Sequence, residues 1–91
     1  MTTHSFKGKT AIITGAGAGI GYEIARQLAL AGASALLNDI DGGLADQAAE
    51  KIRRQGGTCL AMSGDASDPE AIDQMTGTVA REFGHLDFAI A

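Results

Sequence analysis

Apolar and polar positions follow two rhythms along this chain. Residues 9–14, 33–39, 58–63 and 86–91 are short, nearly continuous apolar runs, the pattern of parallel strands buried on both faces. Between them the apolar residues recur at helical spacing. Residues 19–31 line up Ile20, Ile24 and Leu28. Residues 43–55 line up Leu44, Ala48 and Ile52. Residues 69–83 turn Ile72, Met75, Val79 and Phe83 inward. Each helical stretch is closed by glycine (Gly32, Gly56-Gly57, Gly84), which takes the left-handed turn after a helix without a Cβ clash. Ser67-Asp68-Pro69-Glu70 reads as a helix start, with Ser67 as the cap of a capping box and Pro69 in the first turn. The order is β-α-β-α-β-α-β. Right-handed crossovers turn that order into an α/β fold, a doubly wound parallel sheet with strand order 3-2-1-4. Residues 1–91 form one domain, with no linker, internal repeat or low-complexity stretch.

The first strand runs into Thr14-Gly15-Ala16-Gly17-Ala18-Gly19-Ile20-Gly21, which opens the first helix. A glycine turn between a strand and a helix is a phosphate cradle. The turn lets main-chain N–H groups approach a pyrophosphate, and the helix N-terminus adds about half a positive charge. The common Gly-x-Gly-x-x-Gly spacing fails from every starting glycine. The spacing that fits is Thr14-Gly15-x-x-x-Gly19-x-Gly21, with Gly17 as an extra. A tight structural turn would not need so many glycines.

Two acids follow the next strands. Asp39 closes the second, where a carboxylate can accept both ribose hydroxyls of an adenosine moiety and repel a 2′-phosphate. Ala18 and Ile40 are uncharged, so no arginine clamp for that phosphate is visible. The expected cofactor is therefore NAD in preference to NADP. Asp41 reads as a turn or cap residue. Asp65, in Gly64-Asp65-Ala66 after the third strand, stands where strand ends line a ligand crevice and can accept from an adenine amino group.

Composition narrows the alternatives. With 91 residues, 45% hydrophobic and 20% charged, the chain is an ordinary small globular domain. A net charge of −4 speaks against a nucleic-acid surface, and Arg53-Arg54 reads as a solvated helix end. The single cysteine, Cys59, lies in an apolar run and reads as a buried, inert thiol, consistent with a reducing cytoplasm. Residues 1–9 carry no apolar signal core, and residues 28–37 are too short for a membrane span. No metal site is expected. His4 and His85 are isolated and read as exposed. Asp39-x-Asp41 with Glu50 mimics a calcium loop but lacks the ligand and the glycine needed at Gly43 and Leu44. Tyr22 is followed four residues on by Arg26 and reads as non-catalytic.

These residues resemble the short-chain dehydrogenase/reductase family. Thr14-Gly15-x-x-x-Gly19-x-Gly21 matches its cofactor-loop motif, Asp39 the acid of its NAD-preferring members, and Asp65-Ala66 its adenine-contact pair. Residues 86–91 are similar to the strand that leads into its Asn-Asn-Ala-Gly motif, with Ala91 on the first position. The texture around Asn38-Asp39-Ile40 is similar to gluconate 5-dehydrogenase-like and 3-oxoacyl-carrier-protein reductase-like members. The resemblance implies a Rossmann dinucleotide-binding domain, here its N-terminal part. The implied cofactor-binding residues are Thr14, Gly15, Ala18, Gly19, Ile20, Gly21, Asp39, Ile40, Asp65, Ala66 and Ala91. It also implies hydride transfer between a nicotinamide and a small carbonyl or secondary alcohol, and a dimer or tetramer in the full-length form. The family's catalytic Ser and Tyr-x-x-x-Lys fall beyond the equivalent of Ala91, so no catalytic residue is assigned. Two alternatives stand beside this reading. One is a stand-alone nucleotide-binding fragment without catalysis. The other is a methyltransferase-like nucleotide fold, which lacks this glycine spacing.

Overall fold

The computed structural model describes residues 6–91; His4 lies outside them. Seven elements alternate in the expected order. They are β1 (Thr10–Ile13), α1 (Gly19–Leu30), β2 (Ser34–Asp39), α2 (Gly42–Arg54), β3 (Thr58–Ser63), α3 (Pro69–Phe83) and β4 (Phe88–Ile90). All pairings are parallel, and the strand order is β3-β2-β1-β4.

Alternation along each strand sends successive side chains to opposite faces, and both faces are covered. Ala11, Ile13, Ala35, Leu37 and Cys59 pack under α1 and α2, which contribute Ala25, Ala29, Ala45, Ala48, Ala49 and Ile52. Ile12 and Leu36 meet Met75 and Val79 of α3 on the other face, with Met62, Ile72 and Phe83 at its margin. The first face is built largely from alanine. Small side chains let the two helices lie close to the sheet, and close packing follows from complementary shape rather than bulk.

Three expectations about the helices need correcting. The inward face of α1 is not the Ile20-Ile24-Leu28 line. The core contacts of α1 are made by Ala25 and Ala29, both buried, while Ile20 is 81% exposed. One residue is about 100° of helix rotation, so the true face lies one step on from the isoleucine line. On α2, Leu44 is 40% exposed at the margin, and Ala45 takes the core position beside Ala48 and Ile52. At the start of α3 the cap is Asp68, whose carboxylate accepts from the Glu70 N–H at 3.0 Å; Ser67 does not cap. Its hydroxyl instead donates to Asp65 Oδ1 at 2.7 Å.

β4 is shorter than residues 86–91 because the chain before it is held by a side chain. The Asp87 carboxylate accepts from the Thr10 N–H at 2.8 Å, and the Asp87 N–H donates to the Thr10 carbonyl at 2.9 Å. His85 is exposed, as expected, with Nε2 2.9 Å from Asp87 Oδ2 and 3.1 Å from the Gly8 carbonyl. Both contacts lie where β1 and β4 begin, the end of the sheet away from the glycine loop.

Candidate cofactor site

The site is assembled at the C-terminal ends of β1, β2 and β3, where ligands bind in open α/β sheets. The glycines of the loop are needed for two different reasons. Gly15 and Gly19 have φ of +62° and +65°, in the left-handed region that other residues avoid, although an added Cβ would meet nothing at either. Gly21 is needed for space. A Cβ there would stand 2.7 Å from the Gly15 carbonyl oxygen and 3.0 Å from Ala16 Cα, so only glycine lets α1 approach the loop this closely.

The start of α1 differs from the other two helices. α2 and α3 are capped by Asp41 and Asp68, and the Leu44 N–H donates to Asp41 Oδ1 at 3.1 Å. The N-cap of α1 is Ala18, which gives no side-chain hydrogen bond, and the first turn holds no acid. Its leading N–H groups are therefore left for an outside acceptor, on a helix end that favours negative charge. A cradle that a Cβ would fill, followed by an uncapped helix, fits a diphosphate.

Asp39 sits at the loop's mouth with its carboxylate fixed at both oxygens. The Gly17 N–H donates to Oδ2 at 2.9 Å and the Asp41 N–H to Oδ1 at 3.0 Å. A carboxylate oxygen has about two acceptor positions, so each keeps one for a ligand. Ile40 beside it is 73% exposed, and Ile20 stands open at the loop. No side-chain cation is hydrogen-bonded to Asp39 among the described residues.

Asp65 is exposed beyond β3. Its Oδ1 accepts both the Ser67 hydroxyl and the Ser67 N–H, at 2.7 and 2.9 Å, and these bonds hold its carboxyl below the usual carboxylate range. The group stays ionised, an acceptor only, with Oδ2 turned to neither bond. Thr14, Ala66 and Ala91 meet around an apolar cleft of about 210 Å³ floored by Ile12, Met75 and Ile90. Thr14 ties β1 to β4 there through its N–H, 2.9 Å from the Ile90 carbonyl.

The structure thus gathers the expected residues other than Asp65, which stands exposed with Ser67, into two groups. Gly15 to Gly21 joins Asp39 and Ile40 through the Gly17 contact, and Thr14, Ala66 and Ala91 share the cleft. Tyr22 belongs to neither. It packs against the alanine-rich core, with its ring 5.8 Å from Lys51 Nζ. Arg53 and Arg54 pair with Glu50 on the surface of α2. Cys59 is 2% exposed, and burial pushes its thiol up to about 11. Among the described residues no group of three or more His, Cys, Asp or Glu side chains could hold a metal ion, and no helix is long and apolar enough to cross a membrane.

Three residues make contacts here that their sequence context does not announce. Gly17 is a glycine beyond those the motif spacing requires, and its N–H holds Asp39. Asn38 is a polar residue at the end of an apolar strand, and its amide holds two carbonyls. Ser67 stands at a capping-box position but bonds Asp65.

The family model for short chain dehydrogenases matches residues 9–91. The chain belongs to that family. Among its relatives, a 7alpha-hydroxysteroid dehydrogenase of Escherichia coli K12 is 37% identical over 83 residues, covering 91% of this chain and 32% of the relative. A tetrahydroxynaphthalene reductase of Pestalotiopsis fici is 36% identical over 87 residues, covering 94% and 31%. The crystal structure of an Escherichia coli hydroxysteroid dehydrogenase superposes with a TM-score of 0.90 at 36% identity, over 96% of this chain and 36% of that one. A citronellol catabolism dehydrogenase of Pseudomonas aeruginosa PAO1 gives 0.88 at 29% identity. The chain spans about a third of the length of the relatives it matches. The matches give this chain the Rossmann nucleotide-binding fold of a family whose members are oxidoreductases that bind NAD or NADP.

Proposed function

We propose that these 91 residues are the NAD-holding part of a short-chain dehydrogenase that moves hydride between the nicotinamide and a small carbonyl or secondary alcohol. The observation that carries this reading is the Asp39 carboxylate, pinned by the Gly17 N–H at the mouth of the glycine cradle. In that position it accepts the two adenosine ribose hydroxyls. A 2′-phosphate would bring like charge against it, with Ala18 and Ile40 offering no cation in return.

In this reading the other residues take the following roles. The uncapped main-chain N–H groups that lead α1, from Gly19 to Gly21, bind the diphosphate, those of Ala16 and Gly17 being held by Asn38 and Asp39. Ile20 and Ile40 give apolar cover on either side. Asp65 accepts from the adenine amino group, with the Ala66 N–H beside it, and Thr14 and Ala91 line the passage toward the cleft. When bound, the cofactor supplies the hydride acceptor or donor. The chain's own residues bind and orient it, and none of them is placed to move the substrate's proton. The isolated chain should therefore bind dinucleotide without turnover. Full-length copies associate as dimers or tetramers in this reading, in the cytoplasm, where a single buried thiol such as Cys59 stays reduced.

Calorimetric titration of the chain with NADH and with NADPH tests the proposal. Tighter binding of NADH, lost on Asp39→Ala, is the expected result. Tighter NADPH binding would remove the role of Asp39, and no heat with either nucleotide would remove the site. Measurable alcohol oxidation by the purified chain would overturn the division between binding and chemistry.

A further inference from the structure

Asn38 is the polar residue of β2 that the reading above leaves without a task. It is 1% exposed, on the face of the sheet that packs against α3. Its side-chain amide donates twice, to the Met62 carbonyl at 3.0 Å and the Gly64 carbonyl at 3.1 Å. Its own carbonyl accepts from the Ala16 N–H of the glycine loop at 2.8 Å. Burying an amide is costly unless it is bonded, and an apolar residue would suit this face with less risk.

What the amide bonds hold is the exit of β3. Strand pairing runs to Ser63, opposite Asp39, and stops. The next residue, Gly64, has a φ of +152°, a conformation that side-chain-bearing residues rarely take, and it turns the chain toward Asp65. Its N–H reaches the Asp39 carbonyl at 3.2 Å, and its carbonyl is held by Asn38. Asp65 is then fixed locally by Ser67. Asn38 therefore stands between the two acids. Its main chain ties the glycine loop to β2, and its side chain ties the turn that carries Asp65 to the same point.

We propose that Asn38 is a positioning residue for the adenosine end of the cofactor, fixing where Asp65 stands relative to Asp39 and so setting the slot for the base. The inference rests on the reading that Asp39 takes the ribose and Asp65 the adenine amino group. Asn38 touches no part of the ligand. Its effect should appear in selection of the base and not in selection against the 2′-phosphate, because the Gly17 contact with Asp39 does not pass through the Asn38 amide.

The test measures binding of NADH, reduced nicotinamide hypoxanthine dinucleotide and NADPH to the chain and its variants, with chemical unfolding as a fold control. Hypoxanthine replaces the amino group with a carbonyl, so the unaltered chain should prefer NADH over it on the order of tenfold. Asn38→Leu, close in size but without donors, should bring that ratio to within about threefold while the NADH-over-NADPH ratio stays unchanged. A base ratio that survives Asn38→Leu overturns the proposal. So does loss of both ratios together, the outcome of general loosening. Where Asn38→Leu does not fold, Asn38→Ser decides on the same two ratios, since one hydroxyl cannot serve both carbonyls. If the unaltered chain itself does not distinguish the two bases, the assignment of Asp65 falls and this proposal with it, an outcome separate from failure of the Asn38 variants alone.

Discussion

Replacing Gly17 by alanine tests the joint between the glycine loop and the ribose acid. Gly17 is not in the left-handed region, so alanine fits its backbone. The obstacle is space. An added Cβ would stand 2.9 Å from Asp39 Cγ and Oδ2 and 2.9 Å from Leu44 Cβ. Leu44 Cβ is fixed to the backbone of α2, whereas the Asp39 carboxylate can swing on its side-chain torsions. The cheapest relief is therefore for the carboxylate to leave, breaking the 2.9 Å bond from the Gly17 N–H and moving its oxygens from the ribose. A hydrogen bond to a charged group contributes about 1.5–3 kcal/mol, so NADH affinity should fall roughly 10–100-fold. NADPH gains nothing from the carboxylate and should change less, so the preference for NADH shrinks by a similar factor.

The fold should suffer little in the same variant. Loss of glycine's freedom in the unfolded chain favours folding by about 0.4–1 kcal/mol, against a cost of about 1–3 kcal/mol for the tight contact. Titration calorimetry with both nucleotides, alongside urea unfolding, separates the two effects. Unchanged NADH affinity and preference in a folded Gly17→Ala chain would refute the reasoning, because the carboxylate would then not be where the ribose is read.

Three further outcomes are expected. Gly77 lies inside α3, where a Cβ would meet only Arg81 Nη1 at an ordinary 3.6 Å, so Gly77→Ala should stabilise the fold by about 0.5–1 kcal/mol; a lower urea midpoint would contradict this. Cys59 keeps its thiol neutral in the fold up to about 11, whereas the unfolded chain ionises it from its ordinary value of 9.0. The contribution present below pH 9 should then be lost between about pH 9 and 11, by roughly 2–3 kcal/mol relative to Cys59→Ala; parallel stability profiles for the two chains would count against it. The outer edge of β4 pairs with no strand among the described residues, and Leu86 and Phe88 beside it are exposed, so the 91-residue chain should self-associate. Ala89→Lys should weaken that association in sedimentation velocity, and a chain that stays monomeric as its concentration rises would show the edge to be protected.

The order of elements was legible because buried strands are apolar throughout and glycines mark the helix ends. Which way each helix faced was not. On α1 the large isoleucines and leucine drew attention to one line, but the buried line is Ala25 and Ala29, whose value is that they are small. Near α3, Ser67 and Asp68 are both good caps, and spacing alone cannot tell which takes the helix and which takes Asp65. In the site, the glycine spacing and the two acids could be read locally. The bond from Gly17 to Asp39 joins residues 22 apart, and the value of an extra glycine appears only when the acid is seen against it.

The three segments of the site are coordinated through the last two residues of β2. Asn38 receives the Ala16 N–H and holds Gly64, while Asp39 receives the N–H groups of Gly17 and Gly64. These neighbours point to opposite faces, so a slip of one residue in the register of β2 would exchange them. Apolar patterning does little to forbid that slip, because Leu36 and Leu37 are both fully buried and either face would accept them. The polar pair does forbid it. A slip would put the Asp39 carboxylate among Ile12, Met75 and Val79 and would strip the Asn38 amide of its two carbonyls, each a large burial cost. The residues that carry the cofactor reading therefore also hold the strand in the register that makes the reading possible.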